Sequence, residues 1–422
     1  MKITAIRAYA LNVTAQLDIT DDIKTAGHQV CVVEIDTDEG ITGHGLTAIG
    51  PAVPIKAAVL SVAAPELMGA DPLLHEQIWD KLYWLLVPRG QSGVGMHAIA
   101  ALDIALWDIK GKAFGQPIWR LLGGARDKCP VYATFGFVFY RAEELAEAAT
   151  RWQAKGFNRL KMTVGNQALA RRDEPRLLGD VILEDAKRVE TVRMAAGPEV
   201  ELFIDANCSL DLYHARQLCQ MIESFRIEFF EEPVTQNDVR QLAELRSQTT
   251  IRLACGQNEG QAYRFRDMMI AGAVDIIQPN VAITGGFTQC QKIAALANSF
   301  NISLVPAAIL WPIVFALSVI GAYALNSSML DIWIVLIFGV IGFLARRFGF
   351  AVAPIAVGLI LGKMVEVNLQ NSLKIFNGEW WQIFTQPLAV FFLILAFLGL
   401  CGPQLFRLAT RGSFEAKDGK SD

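Results

Sequence analysis

The feature that most constrains this chain is an abrupt change in charge near Leu304–Pro306. Before this boundary, charged residues are frequent and turns are regularly spaced, whereas no Asp, Glu, Lys or Arg occurs from Ile293 through Leu330. An apolar run longer than about 18 residues is typical of a helix that crosses a bilayer. The sequence therefore predicts two parts that suit different solvents, residues 1–305 and residues 306–422.

The composition places the hydrophobic excess in the second part. The chain has 422 residues, is 53% hydrophobic and has a mean hydropathy of +0.33. Residues 306–422 carry eight Lys/Arg and six Asp/Glu, which leaves a net charge of −6 on the first part. Neither part has the dense basic surface that nucleic-acid binding requires, so a nucleic-acid partner is excluded. The seven cysteines form no Cys-x-x-Cys pair, and we expect reduced thiols in a cytosolic compartment.

Residues 1–126 are predicted to form an α+β capping domain. The β-branched run Val30–Ile35 is typical of a strand, and the turn-rich segment Asp36–Gly43 follows it, as in a meander. Met96–Gly115 has apolar residues at helical spacing and ends at a glycine.

Residues 127–305 are predicted to form an incomplete (β/α) TIM-type barrel. Short apolar runs alternate with helical segments, an order that indicates right-handed βαβ units and a parallel sheet. A closed barrel of this class has eight strands, whereas the sequence offers seven. The seven predicted strands are Pro130–Phe135, Asn158–Val164, Glu201–Asp205, Ile227–Glu231, Ile251–Cys255, Asp275–Gln278 and Ile302–Val305.

Polar residues follow four of these runs, at the strand ends where β/α barrels carry their active sites. Carboxylates with amide oxygens form a hard-oxygen site that suits Mg²⁺. Such an ion can bind a substrate carboxylate and stabilise the charge that develops when a base removes the neighbouring α-proton. The candidate residues are Lys161, Thr163, Asp205, Asn207, Glu231, Gln257, Asn258 and Glu259.

Each candidate also has a structural interpretation. Asp205 and Glu231 could be carboxylates that cap helices or loops. Lys161 could form an ordinary salt bridge. Gln257 and Asn280 could serve as structural hydrogen-bonding groups.

Two segments resemble signatures of the mandelate racemase/muconate lactonizing group of the enolase superfamily: Ala98–Gly123 in its capping domain and Leu202–Pro233 in its barrel. The resemblance implies that Asp205 and Glu231 are the first and second Mg²⁺ ligands. It also implies that Lys161, the first lysine of a Lys-x-Lys strand motif, contacts the substrate carboxylate. The implied activity is that of an acid-sugar dehydratase (a hydro-lyase), or of a racemase or epimerase, acting on a sugar acid.

Three positions depart from the family pattern. Thr163 stands where the proton-abstracting lysine usually lies, and Gln257 stands where the third metal carboxylate usually lies. The Gln257 amide oxygen could still bind the metal, or Glu259, two residues further on and expected on the same strand face, could replace it. Asn280 stands where racemases have an aspartate paired with a histidine, and no histidine follows His214.

The assignment of roles follows from these departures. Lys161 and Asn280 are the catalytic candidates, although the general base stays open. Lys161, Asn207 and Thr163 are the candidates for substrate binding.

Residues 306–422 are predicted to contain about four membrane helices. The positive-inside rule places the amino-terminal part on the cytoplasmic side of a multi-pass protein of the inner or cell membrane. The segment Pro312–Gly362 resembles the carboxy-terminal part of the large membrane subunit of tripartite tricarboxylate transporters. Two of the apolar segments are short and could instead be buried or re-entrant. The four segments are Ala308–Leu325, Ile332–Ala345, Phe350–Met364 and Pro387–Cys401.

The sequence therefore leaves three interpretations open: a Mg²⁺-dependent lyase, a carboxylate-transport component, and an inactive in-frame fusion of fragments of the two. The expected partners are a small-molecule carboxylate and the lipid bilayer, with a possible homo-oligomer formed through the enzyme-like part. An open seven-stranded sheet leaves unpaired edges, which favours poor folding and the third interpretation.

Overall fold

The computed structural model describes residues 1–17, 19–126, 128–165 and 176–306. The predicted membrane segments lie outside these residues. In the described ranges, every helix is too short or too polar to cross a membrane. The described part contains a three-stranded sheet and a seven-stranded sheet, each covered by helices.

The amino-terminal sheet is an antiparallel meander, which confirms the predicted order of strands. Glycines allow β3 to lie directly on a helix, because a Cβ atom on Gly45 would approach the Ala101 carbonyl oxygen to 1.9 Å. The strands are β1 (Ile3–Leu17), β2 (Lys24–Thr37) and β3 (Thr42–Ala48). The helices are α1 (Ala52–Ala57), α2 (Ala64–Leu67), α3 (His75–Gly90), α4 (Val94–Ala113) and α5 (Ile118–Leu121), and a π-helical turn, Ala58–Ala63, joins α1 to α2.

The second sheet is parallel throughout, and its strands lie side by side in chain order. All seven predicted strands are present, and several are shorter than expected. The first and last of them, β4 and β10, form the two edges of this sheet within the described residues. The strands are β4 (Ala133–Phe135), β5 (Arg159–Thr163), β6 (Glu201–Asp205), β7 (Ile227–Glu231), β8 (Leu253–Cys255), β9 (Ile276–Ile277) and β10 (Ser303–Leu304).

Helices pack on the outer face of the parallel sheet. Outward side chains such as Leu160 and Ile204 join the large core beneath these helices, whereas Phe203 and Phe229 face inward with their rings 4.4 Å apart. Alternation along β5 and β6 therefore separates the face of the sheet that the helices cover from the opposite, inner face. The helices are α6 (Ala142–Ala154), α7 (Leu178–Ala196), α8 (Leu212–Ile222), α9 (Val239–Ser247), α10 (Ala262–Ile270) and α11 (Gly286–Ser299).

The capping domain holds the amino-terminal end of α11. The Thr288 N–H donates to Asp103 Oδ2 at 3.0 Å, and Trp107 Nε1 donates to Thr288 Oγ1 at 2.9 Å. Gly286 has a φ of 83°, and a Cβ atom there would lie 2.1 Å from Asp103 Oδ2. Asp103 therefore acts as a helix cap that is supplied by the neighbouring domain.

This contact predicts a pH-dependent stability. Burial raises the pKa of Asp103 to about 7. A carboxyl group whose pKa is higher in the folded than in the unfolded state stabilises the fold at low pH. Its contribution to the free energy of unfolding falls as the pH rises, here by up to about 4 kcal/mol between pH 4 and pH 7. Asp103→Asn keeps an acceptor for Thr288 but cannot ionise. We expect the Tm of the variant, relative to wild type, to rise as the pH increases from 5 to 8; a constant difference would contradict this account.

Candidate active site

Lys161, Asp205 and Glu231 lie together at one edge of the parallel sheet. The register pairs Thr163 with Asp205 and Asp205 with Glu231 across the adjacent strands β5, β6 and β7. Lys161 Nζ donates to Asp205 Oδ2 at 3.0 Å and to Glu231 Oε2 at 2.6 Å. The exposed fractions of the Lys161 and Glu231 side chains are 4% and 0%. A buried ammonium therefore bridges two buried carboxylates.

The charges in this cluster do not balance. Burial by itself would lower the pKa of Lys161, but the negative charges of Asp205 and Glu231 outweigh burial and raise that pKa well above its ordinary value. Burial and the Asp205 charge raise the pKa of Glu231 to about 7, although the Lys161 ammonium acts in the opposite direction. Among the described residues, Glu231 Oε1 has no hydrogen-bond partner. With both carboxylates ionised, the three groups carry one net negative charge, and this charge and the unpaired buried oxygen are features that a further cation would satisfy.

Aromatic rings lie beside this cluster. Lys161 Nζ lies 5.2 Å from the centre of the Tyr132 ring, which contacts the stacked Phe203 and Phe229 rings. These rings are largely buried and lie among apolar side chains on the inner face of the parallel sheet. The apolar surroundings strengthen the electrostatic interactions of the three charged groups, because little water screens them.

A hydrogen-bonded network joins the turns after β6, β7 and β8. The buried Glu232 carboxylate accepts hydrogen bonds from the Asn258 backbone N–H at 3.0 Å and from Asn237 Nδ2 at 3.1 Å. Asn258 Nδ2 donates to Asn207 Oδ1 at 2.9 Å, and the Asn207 N–H donates to Asp205 Oδ1 at 2.8 Å. Asn207 therefore holds Asp205 in place through its backbone, and Glu232 organises the turns around both residues.

The candidates for the third metal position lie in a turn. Strand β8 ends at Cys255, so the expectation that Gln257 and Glu259 share a strand face was wrong, because alternation of faces stops where the strand stops. Glu259 accepts hydrogen bonds from Arg264 Nε at 2.9 Å and from Asn237 Nδ2 at 3.3 Å. In the described part of the chain, no three side chains of the types His, Cys, Asp and Glu are grouped to hold a metal ion.

Thr163 and Asn280 make local hydrogen bonds to the backbone. Thr163 Oγ1 donates to the Gly136 carbonyl at 2.8 Å. Asn280 Oδ1 accepts from the Ala282 N–H at 3.1 Å and so closes a turn after β9. The catalytic role of Asn280 and the substrate-binding role of Thr163 therefore stay predictions.

Sequence reasoning missed Gln278, which is fully buried at the end of the β9 run. Its Nε2 atom donates to Glu231 Oε2 at 3.1 Å. The available signal was its position, because Gln278 ends an apolar run at the same sheet edge as Asp205 and Glu231.

The antiparallel capping sheet, the parallel sheet and the acidic strand ends together define a capping domain joined to a parallel-strand α/β domain that carries carboxylates at one sheet edge. The sequence matches the mandelate racemase/muconate lactonizing enzyme N-terminal domain over residues 7–123 and the enolase C-terminal domain-like family over residues 144–338. The chain belongs to the mandelate racemase/muconate lactonizing enzyme group of the enolase superfamily. The second match extends past Val305, so the boundary placed there from the charge pattern stays a prediction.

Two characterised relatives and one solved structure illustrate the similarity. The chain is 36% identical over 313 residues to the D-galactarolactone cycloisomerase of Agrobacterium fabrum, covering 72% of this chain and 78% of that protein. It is 34% identical over 286 residues to the D-galactonate dehydratase of Xanthomonas axonopodis pv. citri, covering 67% and 72%. The L-talarate dehydratase of Polaromonas sp. JS666, crystallised with Mg and L-glucarate, has a TM-score of 0.63 and 29% identity, covering 73% and 81%.

The buried ion cluster predicts that Lys161→Met strongly destabilises the folded protein. The substitution leaves two buried carboxylates without their cation, which we expect to lower the free energy of unfolding by about 3–5 kcal/mol in the absence of metal. The loss should be greater at pH 8 than at pH 5, because protonation relieves the repulsion between the carboxylates. Thermal denaturation in EDTA at both pH values measures this loss of stability. Lys187→Met, at an exposed position, is the matched control. Equal Tm values for the two variants would show that the cluster is not an ion-paired core.

Proposed function

We propose that this protein is a Mg²⁺-dependent acid-sugar dehydratase, a lyase that removes the proton next to a carboxylate and then expels a β-hydroxyl group. The observation that carries the proposal is the buried Lys161 ammonium bridging Asp205 and Glu231, with Glu231 Oε1 unpaired among the described residues. The names of the relatives, which include D-galactonate dehydratase and L-talarate dehydratase, support the substrate class.

The residues of the site fit a hard cation. Asp205 and Glu231 would hold Mg²⁺, and Gln257 or Glu259 is proposed as a third ligand. When bound, Mg²⁺ supplies positive charge beside the substrate carboxylate and so makes the α-proton more acidic. The existing ion pair of Glu259 with Arg264 favours Gln257 over Glu259 for that position.

The protein groups supply orientation and charge. Lys161 can donate charge-assisted hydrogen bonds from its ammonium group to a substrate carboxylate oxygen. The Tyr132 ring and the buried phenylalanines beside it exclude water from the carboxylate end of the substrate. Asn207, fixed by Asn258, is the proposed contact for a substrate hydroxyl group.

The test measures product formation by the full-length chain. Incubation with Mg²⁺ and with D-galactonate, L-talarate or L-glucarate should yield a 2-keto-3-deoxy acid, detected by NMR. Asp205→Asn should abolish the product and weaken Mg²⁺ binding measured by calorimetry. Gln257→Glu, which restores a carboxylate at the third position, should tighten Mg²⁺ binding about tenfold.

The outcomes separate the alternatives. Absence of both Mg²⁺ binding and product would contradict the dehydratase proposal. Tight, Asp205-dependent Mg²⁺ binding without turnover of any acid sugar would instead favour the inactive-fusion interpretation, in which the cation site survives and the catalytic base is lost.

We further propose that residues 306–422 attach the chain to a cell membrane, with the enzyme-like part in the cytoplasm. The part of the uncharged run that follows β10, from Pro306 through Leu330, supports this proposal. The full-length chain expressed in bacteria should sediment with membranes and resist extraction at alkaline pH. Release by carbonate, or recovery in the supernatant, would count against the proposal, and uptake of carboxylates by vesicles would support the transport function.

A further inference from the structure

Only one of the two polar side-chain atoms of Gln278 has a hydrogen-bond partner among the described residues. The residue has no exposed surface, and its Nε2 atom donates to Glu231 Oε2 at 3.1 Å. Its Oε1 atom has no hydrogen-bond partner within the described ranges of the chain. Charge fixes this orientation of the amide, because the opposite one would place an acceptor oxygen against a carboxylate. The unpaired atom is therefore the oxygen.

A second unpaired oxygen belongs to the residue that Gln278 contacts. Glu231 Oε1 also lacks a partner in the part of the chain that the structure describes. The two residues stand at the ends of β7 and β9, on the same edge of the sheet. A buried acceptor without a partner destabilises the folded state, so a hydrogen-bond donor or a cation beside these two oxygens would be stabilising.

The net charge of the cluster favours a cation. Lys161 is shared between Asp205 and Glu231, which leaves one negative charge uncompensated when both carboxylates are ionised. Glu259 cannot supply a further free carboxylate without breaking its ion pair with Arg264. A neutral amide oxygen that is already buried beside Glu231 adds a ligand without adding a charge that must be neutralised.

We propose that the amide oxygen of Gln278 is a ligand of the divalent-cation site that Asp205 and Glu231 form. The inference rests on the proposed function, since it takes that site to bind Mg²⁺. Gln278 then has two tasks: Nε2 holds the Glu231 carboxylate, and Oε1 binds the ion. Gln278 directly follows β9, whereas Gln257 lies in the turn after β8.

The test uses metal binding by the full-length chain, without substrate. The affinity for Mn²⁺ is measured from the electron paramagnetic resonance signal of the free ion, and the affinity for Mg²⁺ by calorimetry. Gln278→Leu should raise the Kd for both ions by about tenfold or more. Gln278→Glu, which keeps an oxygen at the position and adds charge, should bind both ions at least as tightly as wild type. Gln289→Leu replaces another buried glutamine and is the matched control.

Two results would overturn the inference. One is wild-type affinity in Gln278→Leu. The other is equal weakening in Gln278→Glu and Gln278→Leu, which would show that only the hydrogen bond from Nε2 to Glu231 matters. If wild type itself binds neither ion, the proposed function fails as well, whereas binding that Asp205→Asn abolishes and Gln278→Leu preserves removes this inference alone. Circular dichroism in EDTA checks that each variant is folded.

Discussion

The interaction on which the rest of the site depends is the buried ion cluster of Lys161, Asp205 and Glu231. Ionised groups that lose contact with water are tolerated only where partners compensate them. The parallel register supplies that compensation, because it places the three side chains on adjacent strands at one edge of the sheet. The cluster leaves one negative charge and unpaired oxygens among the described residues, and these features define what the site can bind.

Surrounding elements hold the cluster in a single geometry. Glu232 and Asn258 connect the turns after β7 and β8, and Asn207 fixes Asp205 from the turn after β6. Asn207 and Glu232 have φ values of 45° and 43°, a left-handed conformation that non-glycine residues seldom adopt. Such backbone conformations persist only where neighbouring contacts enforce them, and functional sites are where they concentrate.

The sequence predicted the strands better than the turns. Glu201–Asp205 and Ile227–Glu231 have the predicted bounds because each apolar run ends in a charged residue that faces the site. The direction of side chains beyond a strand end depends on turn dihedral angles, which a pattern of residue types does not specify. For that reason the pairing of Glu259 with Arg264 and the inward position of Gln278 became visible only in the structure.

The central claim is that a divalent cation is held by Asp205 and Glu231 beside Lys161. A crystal of the full-length chain grown with Mn²⁺, with data collected at the manganese absorption edge, tests this claim most directly. The account predicts an anomalous difference peak at coordination distance from both carboxylates, with the Lys161 ammonium moved from between them. A peak elsewhere, or an intact Lys161 bridge with no peak at saturating Mn²⁺, would contradict it.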